Sequence, residues 1–449
     1  MARYAYDRLT ALDNSFLALE GQDAYMHVAS TQIFDAGPLS VDGGGIDAKA
    51  FERMVESCLH MIPRYRQKLA WVPFLNQPVW IDDPRFKIDY HVRHTSLPRP
   101  GTDEQLKQLS ARMMEHHLDR RRPLWEMWVV EGLEGNRFAL ISKVHHCMID
   151  GVSGVDLMKV LMTITPDYEI HESPTYIPRP TPASTELLRH EVMRWAGLPL
   201  TIAASVGELA SQADGLRRNL VTGVGQVVES LGGSIRPATK TPLNGEIGPH
   251  RRFDWLTMEL ADVKFVRKAL GGSLNDVVLT VVTGAVRRFL ERRQVRPADI
   301  DFKVMAPVSM RSEEQQGQLG NRISAWMIEL PIAEADPTRQ LEDIARKTGA
   351  LKSSRGAVAA ELLTQAMEWT PGTLLSMAGG NIGSLLPFNM VVTNVPGPQF
   401  PLYSLGAEMI ESYPHVPLID NLGLGIALMS YNGKLCWGFN ADYDLIPDL

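Results

Sequence analysis

The sequence predicts an α/β (α+β) protein of two layered lobes, on three observations. The chain has 449 residues, more than one hydrophobic core normally organises. Strand-like and helix-like segments occur together in both halves. A proline-rich stretch separates the halves: residues 166–186 carry Pro166, Pro174, Pro178, Pro180 and Pro182 with no clear period, and read as an extended connector. The expected division is a first lobe over residues 1–170, a connector with helices over 171–244, and a second lobe over 245–449.

In the first lobe, residues 50–69 begin as an amphipathic helix that Pro63 interrupts. Residues 103–118 predict a second helix. Trp125–Glu131 and Arg137–Val144 read as strands, and Glu134-Gly135-Asn136 between them supplies hairpin turn chemistry. Residues 187–232 return to helical patterning, with Leu198, Ile202, Val206 and Leu209 on one stripe. That stripe suits packing on or between the lobes, or else contact with lipid. In the second lobe, strands are expected at Val304–Val308, Ile323–Leu330, Phe388–Asn394, Leu422–Met429 and Lys434–Phe439. Asn432-Gly433 is a hairpin signal between the last two. Ser273–Arg293 is the clearest helix. Pro447-Asp448 could open a further helix, so a longer natural C-terminus is expected.

Composition excludes several classes. Hydrophobic residues make up 45% of the chain and charged residues 22%, which is ordinary for a globular protein. The net charge of -7 argues against nucleic acid as a partner. An anionic small ligand stays open through local clusters such as Arg120-Arg121-Arg122. Three scattered cysteines, Cys58, Cys147 and Cys436, give neither a disulfide framework nor a zinc spacing, and fit a reducing cytosol. The N-terminus lacks a signal-peptide pattern, and the apolar stretch near 195–210 is too short and too polar to span a membrane. Gly43-Gly44-Gly45 lacks the lysine and helix of a phosphate loop.

One segment carries chemistry. Residues 137–144 read as a strand and 152–164 as an apolar helix; between them stand His145-His146-Cys147-Met148-Ile149-Asp150-Gly151. Neutral histidine accepts a proton near pH 7, so it suits deprotonating a hydroxyl as that hydroxyl attacks a carbonyl. A carboxylate such as Asp150 can orient an imidazole or brace the loop, and Gly151 permits backbone angles that other residues resist. His145 is open to a structural or a catalytic reading. A metal site lacks an evident third ligand, and Cys147 as nucleophile suits the surroundings less well than histidine chemistry. A second pair, His116-His117, lacks the glycine turn and reads as the positive end of a helix.

This segment matches the His-His-x-x-x-Asp-Gly signature of the coenzyme-A-dependent acyltransferase superfamily. Over nearly its whole length the chain resembles the bacterial wax ester synthase/diacylglycerol acyltransferase family. The supporting segments are LTALDNSFLALE from Leu9, Pro123-Leu124-Trp125, LNGEIGPHRRF from Leu243, Asn275-Asp276, PVSMRS from Pro307, Gly320-Asn321-Arg322, and Asn394-Val395-Pro396-Gly397-Pro398. The main departure is the missing C-terminal helix. The resemblance implies two chloramphenicol-acetyltransferase-like lobes with a tunnel between them. It implies His146 as base, Asp150 as a holder of the loop, and direct transfer from acyl-CoA to diacylglycerol or a fatty alcohol. It implies no cofactor beyond acyl-CoA as co-substrate, no metal, and a cytoplasmic protein that can touch the inner membrane or lipid bodies.

The remaining candidates keep two readings each. Asp276 fits a capping box with Ser273, and Asn275 could line the tunnel. Thr393 and Asn394 could donate to a developing oxyanion or serve structure alone. Arg311 is an ion-pair partner or a ligand contact. Trp125 is core or substrate-facing. Competing functions are a condensation-type enzyme served by an acyl-carrier protein, and a non-catalytic lipid-binding protein.

Overall fold

The computed structural model describes residues 5–42, 45–148, 160–196, 238–309, 323–353 and 386–449. Asp150, Gly151, Arg311 and the apolar stripe at 198–209 lie outside the described residues.

Among the described residues, two six-stranded sheets and one small sheet of three strands organise the fold. The first sheet runs Tyr403–Ser404, Ala407–His415, His27–Asp35, Arg137–His145, Trp125–Leu133, Val92–Ser96. The second runs Ile323–Glu329, Lys303–Ser309, Met390–Pro396, Leu424–Tyr431, Lys434–Asp442, Arg251–Glu259. The first sheet is therefore completed by strands from the far end of the chain. Ala407–His415 pairs antiparallel with His27–Asp35, from Met409 opposite Phe34 to His415 opposite Ala29.

Alternation along each strand decides which layer a residue joins. In Arg137–His145, Phe138, Leu140 and Val144 enter the main core of the first lobe, with Phe34, Phe51 and Trp125. Ala139 and Ile141 face the other way, against Leu106, Phe253, Trp255 and Tyr413. Both faces are thus buried, which is why this strand reads as a nearly continuous apolar run. In the second sheet Val392, Ile426, Leu428, Leu435 and Trp437 pack under the helices Leu274–Arg292 and Pro337–Ser353. Val391 and Ala427 point to the opposite face, beside Val416.

Most expected elements occur with small shifts. The helix expected to break at Pro63 is Ala48–Cys58, followed by a 3-10 turn at Pro63–Arg66. The 103–118 helix is Asp103–Met114, opened by a Thr102–Gln105 capping box. It stops early because the buried Lys143 donates to the carbonyls of Met113 and His116 at 2.8 and 3.0 Å, satisfying the helix end. The hairpins at Gly135-Asn136 and Asn432-Gly433 both form, all four residues having positive φ. Besides the short Tyr6–Arg8 and Tyr403–Ser404, the described strands without a clear signal are His27–Asp35, Gln67–Val72, Gln77–Asp82, Val92–Ser96, Arg251–Glu259 and Ala407–His415. The first and last of these hide behind polar residues that pair with each other. Thr31 Oγ1 lies 2.9 Å from His415 Nε2 and 3.0 Å from Ser110 Oγ, all buried.

The lobes meet closely where Ala407–His415 crosses Lys434–Asp442. A Cβ built on Gly438 would stand 2.0 Å from the Pro414 carbonyl oxygen, a hard clash with backbone. Gly438→Ala should therefore destabilise the protein by about 1–3 kcal/mol or more, as overpacking does. Urea unfolding followed by tryptophan fluorescence checks this, and an unchanged midpoint would refute the close crossing.

Candidate active site

The catalytic candidate stands where a central strand ends. Arg137–His145 lies between two antiparallel partners, with His27 directly opposite His145. The chain then makes a single 3-10 turn, His146–Met148. Two backbone donors fix that turn. The His146 N–H donates to the Met26 carbonyl at 2.7 Å, and the Cys147 N–H donates to His145 Nδ1 at 3.1 Å. The helix Ala11–Leu19, capped by the Thr10 hydroxyl, packs against the turn.

From this helix Phe16 lays its ring on the His146 imidazole, with centroids 3.8 Å apart. His146 remains partly exposed, while its Nδ1 is buried and meets no hydrogen-bond partner on another described residue. Burial pushes its pKa down to about 4, and the nearby His145 pushes the same way; a hydrogen bond to the backbone of His146 itself offsets part of this. The ring is therefore neutral at pH 7, the state a base requires. Cys147 is buried, and desolvation raises its thiol well above the ordinary value, which removes it as a nucleophile.

Behind the turn lies a charge that sequence reading missed. Glu20 caps the C-terminal end of the same helix and is only 3% exposed. Its Oε1 is 3.2 Å from His145 Nε2 and 3.5 Å from His27 Nε2, and accepts the Met26 N–H at 3.3 Å. Its other oxygen pairs with Arg120. Burial alone would raise its pKa, but the contact with His145, then Arg120 and His27, outweigh that and hold the carboxyl well below the usual carboxylate range. The available signal was spacing. Phe16 and Glu20 are four residues apart in LTALDNSFLALE, so they share one helix face.

The arginine cluster that could have held an anion is committed internally. Arg120 pairs with Glu20, while Arg121 and Arg122 pair with Asp119. His116 sits at its helix end, its Nδ1 3.1 Å from the Arg112 carbonyl.

The other candidates separate into two groups. Asn275 and Asn394 come together, 119 residues apart in sequence, through a 2.7 Å bond from Asn394 Nδ2 to Asn275 Oδ1. They line a cavity of about 430 Å³ in the second lobe, between its sheet and two helices. Its walls include Leu274, Val278, Trp326 and Val392, with Lys352 and Ser430 as further polar groups. Asp276 is buried in the predicted capping box with Ser273 and accepts from Thr348 at 2.8 Å. Thr393 lies between Val392 and Asn394 on the strand, so it faces the sheet's other side and is not among the cavity residues. Trp125 is 1% exposed; its Nε1 donates to the Tyr65 carbonyl and its ring stacks on His91. It is a core residue with no face left for a ligand. Among the described residues no group of three or more His, Cys, Asp or Glu is placed to hold a metal ion.

Comparison with known proteins agrees with this geometry. Residues 9–278 match the wax ester synthase/diacylglycerol acyltransferase catalytic domain, and residues 319–449 match the C-terminal domain of the same family. A Mycobacterium tuberculosis protein named as a diacylglycerol O-acyltransferase is 31% identical over 456 residues, covering 98% of this chain and 92% of that one. A Mycobacterium bovis protein named as a putative diacylglycerol O-acyltransferase matches equally well. The structure of the wax ester synthase/diacylglycerol acyltransferase from Marinobacter aquaeolei VT8 aligns with a TM-score of 0.66 at 25% identity, over 98% of this chain and 94% of that one. The starter condensation domain of rhizomide synthetase shares the fold, with a TM-score of 0.56 at 11% identity over 98% and 90% of the two chains. On the family match over both lobes and the identity along nearly its whole length, the chain belongs to the wax ester synthase/diacylglycerol acyltransferase family.

Proposed function

We propose that His146 is the general base of a direct acyl transfer from a long-chain acyl-CoA to the hydroxyl of diacylglycerol or a fatty alcohol. The chain is an acyl-CoA-dependent acyltransferase whose product is a triacylglycerol or a wax ester. The observation that carries the assignment to His146 is a neutral, partly exposed imidazole on a rigid turn at the end of a central strand. With Nδ1 buried, Nε2 is the nitrogen left to meet the substrate.

In the reaction, the imidazole takes the acceptor's hydroxyl proton as the oxygen attacks the thioester carbonyl. The C–O bond forms, the tetrahedral intermediate collapses, and the C–S bond breaks. The leaving thiolate then recovers the proton from the imidazolium. Protons balance within one turnover, so no outside acid or base is needed. Asp150 and Gly151 are assigned to holding the motif loop and His145 to supporting the base. Asn275 and Asn394 are assigned to substrate contact at the mouth of the second-lobe cavity. The two-lobe division at residues 170 and 245 belongs to the same proposal, with 403–415 as the segment that crosses back.

The helix Leu260–Leu270 supports a lipid surface as the source of the acceptor. Phe265 is 71% exposed and Leu270 50%, beside the basic Lys264, Arg267 and Lys268 on the same exposed helix. Exposed aromatic and basic groups together suit an anionic lipid interface. No single helix among the described residues is long and apolar enough to cross a membrane.

Three outcomes are expected. His146→Ala should keep its circular dichroism and lose about 100- to 10,000-fold in acceptor-dependent thiol release from palmitoyl-CoA, the range of a lost general base. Near wild-type turnover in that variant ends the assignment. A base is active when deprotonated, and here the pKa is lowered to about 4. The acid limb of kcat/KM should therefore inflect near pH 4; an inflection near the ordinary histidine value of about 6.5 would mean a solvated ring. Replacing Phe265 by Asp should reduce sedimentation with phosphatidylglycerol vesicles while leaving turnover of a short, soluble alcohol unchanged. Equal sedimentation of both proteins would remove this helix from lipid contact.

A further inference from the structure

We propose that Glu20 is the positioning residue of the catalytic turn, acting on His146 through two separate paths that both begin at its carboxylate. The inference rests on His146 being the base.

The first path runs through His145. A backbone N–H can only donate, so the Cys147 N–H identifies Nδ1 of His145 as an acceptor. The ring proton then resides on Nε2, which faces Glu20 Oε1 at 3.2 Å. The separation is that of a hydrogen bond, but the N–H points off the line to the oxygen, so the carboxylate meets the dipole of a neutral ring. Flipping the ring would break both of its contacts at once. The second path runs through Met26. Its N–H is held by the same Oε1 at 3.3 Å, and its carbonyl accepts the His146 N–H at 2.7 Å. The paths end on the backbone nitrogens of residues 146 and 147, one on each side of the catalytic Cα. They hold that peptide from two directions, while Phe16 on the same helix covers the ring.

Chemistry favours position over proton storage. The acyl transfer returns its proton to the leaving thiolate, so a buried carboxylate has no proton to collect. Burying a carboxylate is costly unless it is paired. Glu20 is paired by Arg120 at the surface and faces two histidine rings inside, which keeps the charge in place.

The test is Glu20→Gln, which keeps the shape and removes the charge. With palmitoyl-CoA and hexadecanol, kcat should fall about 10- to 100-fold, the scale of a misplaced reacting group. KM for both substrates should stay within about twofold, because neither substrate touches Glu20. A folded variant with wild-type kcat overturns the proposal, as does a loss of activity matched by rising KM. The 15N spectrum of histidine-labelled wild-type protein gives an answer that does not depend on the variant folding. His145 should show the Nε2–H tautomer, and the Nδ1–H tautomer would overturn the proposal. Failure of the acyltransferase reading itself would look different, because the wild-type protein would then release no thiol.

Discussion

The pairing of Ala407–His415 with His27–Asp35 is the interaction on which the rest of the molecule depends. It fills the edge that the active-site half of the first sheet would otherwise expose, and it carries the crossing strand against the second lobe. His27 and His145 face each other one strand further in, so the register that seats the crossing strand also sets where the catalytic strand ends. Buried polar contacts secure that register. Thr31 meets both His415 and Ser110, and Ser30 meets Ser142 at 2.8 Å across the neighbouring pair. A shift of the strand by one residue would send its side chains to the opposite faces and break these contacts.

Adjacent identical residues are given opposite surroundings by this arrangement. His145 ends the strand facing inward, toward an ionised carboxylate and a second histidine. His146 begins the turn and faces an aromatic ring and a partly open side. The one-residue change from strand to turn produces the difference, and the short helix ahead of the first long strand serves both rings. Neighbouring titratable groups with unlike environments are how a single fold supplies a reactive group and its support at the same pH.

Legibility in the sequence followed the range of the interactions involved. The hairpin Trp125–Leu133/Arg137–His145 and its continuation into the motif were readable, because local turn residues and an apolar run encode them. So was the capping box at Ser273 and Asp276, which involves only neighbours. Ala407–His415 was not, because Glu408, Glu411 and Pro414 disguise a strand whose burial comes from the opposite end of the chain. Glu20's spacing from Phe16 was readable, but its burial was not, for the same reason. Its partners Arg120 and His145 lie 100 and 125 positions away, and nothing in a single sequence marks a carboxylate as buried. Trp125 was ambiguous between core and ligand until its indole was found on the Tyr65 carbonyl. The pairing of Asn275 with Asn394 needed the fold to bring a helix start beside a strand end.

The crossing strand also bears on how the protein is made. Chains usually fold domain by domain as they leave the ribosome, the earlier part first. Here the sheet that carries the histidine motif lacks two of its six strands until residues 403–415 have been synthesised. Until then His27–Asp35 is an open edge with unpaired backbone groups, the kind that recruits other strands. The active-site half therefore cannot reach its final form during translation of its own residues. It must wait, partly assembled and in need of protection, for more than 250 further residues, from His145 to Tyr403, to emerge.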